Sequence, residues 1–153
     1  MMMAIKKMDG RYHLEGYVNE SPIHKNVRIE FMIDSSQVHT TISIADAKNN
    51  LIKLHSLEIE TERFEVGDKK IDAYVYPNCT IYVPSQNRKR RLIYELKLKK
   101  VYIPFKNISA NRLEPDLSRL GLDFLENYGM KFHAIELDRD QVMILEEPDK
   151  KLP

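Results

Sequence analysis

The residues best suited to chemistry lie together at Phe31-Met32-Ile33-Asp34-Ser35-Ser36. An apolar run ends on a carboxylate followed by two hydroxyl side chains. A carboxylate at the end of a buried strand is costly unless hydrogen bonds satisfy it or it shares a proton with a neighbour. Such a group suits acid–base work. The same six residues also fit an ordinary turn, because Asp and Ser readily cap nearby backbone groups. On these residues alone both readings stand.

Other reactive side chains form no comparable group. His13, His24, His39, His55 and His133 have no ligand-like spacing, and with the single Cys79 they suggest no metal site. His39 follows Asp34 by five positions, so strand alternation would point the two side chains to opposite faces. Ser35 and Ser36 lack the flanking glycines of a nucleophile elbow. Arg88-Lys89-Arg90-Arg91 is a dense basic run, with Tyr82, Tyr94 and Tyr102 available for base stacking. The net charge is only +1, from 24 basic and 23 acidic residues, which argues against nucleic acid as a partner and for a solvated loop.

The elements that must position Asp34 are mostly strands. Arg11 to Asn19 and Val27 to Ile33 read as strands separated by Glu20-Ser21-Pro22. In the second, Val27, Ile29 and Phe31 alternate with Arg28 and Glu30, the period of a half-buried strand. Gln37 to Ile44 is also strand-like, with a helical turn expected at Ile44 to Lys48. Leu57 to Glu60, Ile71 to Val75, Leu92 to Leu98 and Val101 to Ile103 continue the β pattern, with turns at Gly67-Asp68 and at Pro84 to Lys89. Leu117, Leu120, Phe124 and Leu125 have helical spacing, which predicts a helix within Pro115 to Tyr128, capped by Gly129. Phe132 to Leu137 and Gln141 to Leu145 predict a closing hairpin.

Two stretches carry a family resemblance. Phe31-Met32-Ile33-Asp34-Ser35-Ser36-Gln37 continues through Val38 and His39 to Thr40-Thr41-Ile42-Ser43. This resembles the active-site segment of retroviral-type (retropepsin-like) aspartic proteases, where a hydrophobic strand leads into Asp-Thr/Ser-Gly-Ala and a Thr-x-Ile-Ser stretch follows. Asp46-Ala47 matches an acid-alanine pair at the start of the family's next short helix. Far down the chain, Leu120-Gly121-Leu122-Asp123-Phe124-Leu125 resembles the second hallmark, a hydrophobic pair and glycine leading into Gly-x-Asp/Asn-x-Leu. The resemblance runs from Tyr12 to Leu145, with specific residues only at its two ends.

The resemblance implies a mostly β domain, a closed β-barrel of the acid protease fold with one short C-terminal helix, working as a homodimer. Each copy would bring one catalytic Asp34 to a shared axis. Two carboxylates that close hold one proton between them and titrate as a unit. One would take a proton from water while the other gives one to the carbonyl oxygen of a polypeptide substrate, with no metal or other cofactor. Ser35 would hydrogen-bond across the axis, Ser36 and Gln37 would complete the active-site loop, Gly121 would pack close beneath it, and Asp123 would be structural. The flap is expected at Val66-Gly67-Asp68, within Phe64 to Ile71, or else at Pro84 to Arg91.

Three positions depart from the family pattern. Ser36 replaces a glycine, Gln37 an alanine, and Arg119 a hydrophobic residue before Leu120-Gly121. They support an alternative, a catalytically impaired dimer of the same fold acting as a scaffold or peptide-binding module. The chain of 153 residues fits one domain. The expected divisions are a flexible N-terminus at 1–10, the protease-like domain at 11–146 and a charged tail at 147–153. No apolar run nears the ~20 residues of a membrane span, no secretory signal opens the chain, and one cysteine suits a reducing compartment. The expected location is cytoplasmic.

Overall fold

The computed structural model describes residues 2–20, 23–34, 36–49, 60–84, 93–108, 116–126, 132–137 and 140–145. The first hairpin is built by Asp9-Gly10, both at positive φ (52° and 76°). Asp-Gly favours a two-residue turn that needs φ > 0 at both positions. It joins strand β1 (Met2–Met8) to β2 (Arg11–Glu20). Met3 and Ile5 of β1 are buried in the core. The segment 1–10, expected to be flexible, is therefore a strand for most of its length.

Strand β3 (Ile23–Ile33) runs antiparallel to β2, with Leu14 opposite Phe31. Its alternation is as the sequence predicts: Val27, Ile29 and Phe31 are buried, while Arg28 and Glu30 are exposed. Strands β4 (Thr61–Val66) and β5 (Lys69–Pro84) form a hairpin about Gly67-Asp68. Gly67 has φ of 63°, a conformation that glycine adopts without steric cost. Strand β6 (Ile93–Pro104) pairs with β5 from Ala73↔Pro104 to Pro84↔Ile93. Helix α1 (Ile44–Asn49) falls where a helical turn is expected.

The C-terminal part differs from expectation. Ser118–Leu120 is a short strand, β7, lying parallel to β3, with Met32 opposite Arg119 and Ile33 opposite Leu120. Helix α2 is confined to Asp123–Glu126 within the described residues. The 3–4 spacing of Leu117, Leu120 and Phe124 thus spans a strand, a turn and a helix. Strands β8 (Phe132–Leu137) and β9 (Asp140–Leu145) form the hairpin expected there, and β9 pairs with β1.

The sheet is mostly β and open, which corrects the closed barrel. Its path is β4-β5-β2-β1-β9-β8, with β6 on β5 and β3 linking β2 to β7. It branches at β2. One edge of β2 carries β3, and the other is divided between β1, at residues 11–13, and β5, at residues 17–19. A strand shared in this way ends the ladder in branches, and among the described residues β4 and β8 do not meet.

The main core joins Leu14, Val18, Ile29, Phe31, Ile42, Ile81, Leu96, Ile103, Leu120 and Phe124. A second cluster of Phe64, Ile71, Ala73, Val75 and Tyr102 lies under the β4–β5 hairpin. Burial of this kind contributes about 1.5–3 kcal/mol per large apolar side chain. Cys79 is buried in the main core. Among the described residues no helix is long and apolar enough to cross a membrane.

Candidate active site

Asp34 leaves the end of β3 with its backbone N–H bonded to Leu120 O at 3.0 Å. The Gln37 N–H donates to Asp34 O at 3.2 Å, which closes a turn. Ser36 donates to Asp34 Oδ1 from its backbone N–H at 3.0 Å and also from its hydroxyl. The turn reading and the site reading therefore describe the same atoms. Ser35 lies outside the described residues.

Arg119, on β7, closes the other side of the carboxylate. Its Nη1 donates to Asp34 Oδ2 at 2.7 Å, and the two side chains are 11% and 12% exposed. Arg119 Nε is buried with no hydrogen-bond partner among the described residues. Burial pushes the Asp34 carboxyl upward, but the hydrogen bonds from Ser36 and Arg119 and the guanidinium charge outweigh it. The net shift is below the usual Asp value. In a single chain Asp34 is thus held ionised.

Below this carboxylate the segment from Gln37 to Ser43 is laced between β6 and β7. Thr41 exchanges two backbone bonds of 2.9 Å with Arg119, and Ile42 N–H donates to Tyr102 O at 2.9 Å. The strand expected over Gln37 to Ile44 is reduced to bridges at Thr41, because this segment meets two neighbours in turn rather than one along its length. His39 packs edge-on against Tyr102, with ring centroids 5.0 Å apart. Tyr102 in turn stacks on Phe64 of the β4–β5 hairpin at 4.8 Å.

Gly121 and Asp123 support the loop from beneath. A Cβ on Gly121 would lie 2.6 Å from the His39 carbonyl carbon and 3.0 Å from Gln37 O. Leu122 N–H donates to Gln37 O at 2.8 Å and Asp123 N–H to Val38 O at 3.0 Å. The Asp123 carboxylate accepts the Thr40 N–H at 2.8 Å and the Thr40 hydroxyl at 2.6 Å. Thr40 Oγ1 also accepts the Gly121 N–H at 3.1 Å. Burial raises the Asp123 pKa, and the bonds from Thr40 offset only part of that rise. Thr40→Val is expected to lower stability by about 2–3 kcal/mol in urea denaturation, since it strands the Gly121 N–H and one carboxylate oxygen. Thr40→Ser, which keeps the hydroxyl, should stay within about 1 kcal/mol of the parent.

A second polar group steadies α1 beside β7. Ser43 Oγ accepts the Asp46 N–H at 3.0 Å, as an N-cap does. Ser118 Oγ accepts the Ser43 N–H at 2.9 Å and donates to Asp46 Oδ2 at 2.5 Å. Asp116 is raised by burial while accepting backbone N–H groups of Ala45 and Ile44. Ala47 is fully buried, which explains a small residue after the acid.

Val66, Gly67 and Asp68 form the tip of the β4–β5 hairpin and face a cavity of about 790 Å³. Its opposite wall is Ser36, Gln37 and Arg119, the residues around Asp34. A cavity of this volume suits a ligand or a peptide segment. The alternative flap at Pro84 to Arg91 and the basic run Arg88 to Arg91 lie outside the described residues from position 85 onward. Among the described residues no three His, Cys, Asp or Glu side chains are placed to hold a metal ion.

No protein-family model matches the chain, and no curated protein does. Among solved structures, a retropepsin-like aspartic protease from Rickettsia conorii is similar at 20% identity, with a TM-score of 0.55. The match covers 95% of this chain and 89% of that one. At that identity the likeness is one of fold: the chain shares the architecture of a retropepsin-like aspartic protease.

Proposed function

We propose that the chain is a homodimeric aspartic endopeptidase in which the Asp34 carboxylates of two copies activate a water molecule. One observation carries this reading. Asp34 sits at a strand end, braced by Leu120 and the Gly121 turn, beside a cavity roofed by the Val66-Gly67-Asp68 hairpin. In the dimer the ionised Asp34 takes a proton from water, and the water oxygen attacks the carbonyl carbon. The protonated partner gives its proton to the carbonyl oxygen. Collapse of the tetrahedral intermediate breaks the C–N bond, the leaving nitrogen takes the proton that Asp34 accepted from water, and the diol hydroxyl returns its proton to the partner carboxylate. Ser36 orients the carboxylate, Gln37 and the hairpin tip hold the substrate, and Gly121 and Asp123 keep the loop in place. Ser35 is assigned to contact across the axis, and the domain to residues 11–146 together with strand β1, whose Met3 and Ile5 lie in the main core.

One observation favours a second reading. The Arg119–Asp34 ion pair opposes the single shared proton that the dyad needs. A dimer that kept this pair intact at all pH values would bind peptides without cutting them. Incubation with an unfolded polypeptide from mild acid to neutral pH separates the two readings. Pepstatin-sensitive cleavage is expected, strongest on the acid side, together with a dimer in sedimentation. No cleavage at any pH would leave the binding module as the better account.

A further inference from the structure

We propose that the cavity beneath the β4–β5 hairpin selects polypeptide segments bearing acidic side chains. The inference rests on the cavity being the substrate cleft. Its apolar lining comes from Val66, Ile71 and Ile108, while its charge comes from Lys69, Lys70 and Lys106 against the single acid Asp68. The fourth cation of the wall, Arg119, is already engaged by Asp34.

Three other cations described in the structure are neutralised where they stand. Arg28 pairs with Glu15 at 2.9 Å, Arg63 with Asp72 at 3.1 Å and Lys100 with Glu62 at 3.0 Å. Lys69, Lys70 and Lys106 have no carboxylate partner among the described residues. Glu65 lies opposite Lys70 in the ladder, yet the two make no ion pair. The cavity lining thus carries an excess of positive charge that has no carboxylate partner among the described residues. A concave site lined by one sign of charge attracts the opposite sign. The interleaved apolar residues favour a peptide, whose side chains alternate along an extended backbone, over a uniformly charged phosphate chain.

The test uses the full chain with Asp34→Asn and Arg119→Leu together, so that no probe is consumed and Arg119 adds no free cation to the cavity. The probes are a short fluorescein-labelled peptide with glutamates flanking a central Leu-Phe pair, its glutamine counterpart, and a short oligothymidylate. Binding is read by anisotropy at neutral pH in about 50 mM and about 300 mM salt, which bracket strong and weak screening. The glutamate peptide is expected to bind about tenfold tighter than the glutamine peptide at low salt, with the gap shrinking at high salt. Lys69→Gln, Lys70→Gln and Lys106→Gln together are expected to erase the gap. Equal affinities, binding of neither peptide, a gap that survives the three substitutions, or tighter binding of the oligothymidylate would overturn the proposal. The parent chain keeps this outcome apart from the peptidase reading. Acid preference without hydrolysis would confirm the selectivity and sink the dyad, whereas hydrolysis without preference would sink the selectivity alone.

Discussion

Asp34→Asn is expected to lower peptide hydrolysis by at least about a thousandfold, because an amide can neither take a proton from water nor hold the shared one. The fold should survive, since the Asp34 backbone bonds to Leu120 and Gln37 do not involve the side chain. The substitution also leaves the Arg119 guanidinium without its anion at a site only 11% exposed. A loss of about 1–2 kcal/mol at neutral pH follows from breaking a mostly buried pair while an amide oxygen still accepts one bond.

The pH dependence has a definite sign. Folding lowers the Asp34 pKa, so the folded state binds this proton less tightly than the unfolded one. The group's contribution is present above the unfolded value near 3.8 and is lost as pH falls through the lower folded value. Asp34→Asn should therefore flatten the acid limb of a plot of thermal midpoint against pH. A limb as steep as the parent's would show that Arg119 does not act on Asp34. Arg119→Leu supplies the opposite arm. Removing the cation lets the pair of Asp34 carboxylates keep its proton to higher pH, so the alkaline limb of hydrolysis should move up by about 1–2 pH units. An unmoved limb would mean that Arg119 swings away from Asp34 in the dimer.

This ion pair shows where the sequence is legible and where it is not. Asp34, Gly121 and Asp123 could be picked out because each sits in a short stretch that resembles a motif of retropepsin-like proteases. Arg119 was visible only as a cation in place of an apolar residue. Its meaning needs β7 laid parallel to β3, with Arg119 opposite Met32, and nothing local specifies that pairing. A three-residue strand is too short to show alternation, so the helical spacing of Leu117, Leu120 and Phe124 outweighed it. Strand β1 was missed for a different reason. Its signal, Asp9-Gly10 between short alternating runs, is present, but a lysine-rich start resembles a frayed terminus. The open sheet could not be anticipated from strand count, because branching depends on how one edge of β2 is divided. The hairpin tip at Gly67-Asp68 was legible from turn chemistry alone, whereas the lysines of the cavity beside it gain their sense only from making no ion pair among the described residues.

Gly121→Ala is expected to cost at least about 3 kcal/mol, the upper range for overpacking, or a fall of about 6–12 °C in thermal midpoint. The reason is close approach and not backbone angle, since Gly121 has no positive φ. The added Cβ would meet His39 backbone atoms at 2.6 and 2.7 Å and Gln37 O at 3.0 Å. Side chains can turn away from such contacts, but here the obstacle is backbone. Moving it would stretch the bonds from Leu122 to Gln37 and from Asp123 to Val38, and would loosen Thr40 from both Gly121 and Asp123. Gly67→Ala gives the contrast. It has open space around it and φ of 63°, so its cost is only the left-handed backbone penalty of about 1–2 kcal/mol. A Gly121→Ala protein that melts within about 2 °C of the parent would mean that the loop carrying Asp34 can lift off β7 at little cost. In that case Gly121 could not be what fixes the carboxylate, and the rigidity that acid–base chemistry requires at Asp34 would have to come from the Arg119 side of the site alone.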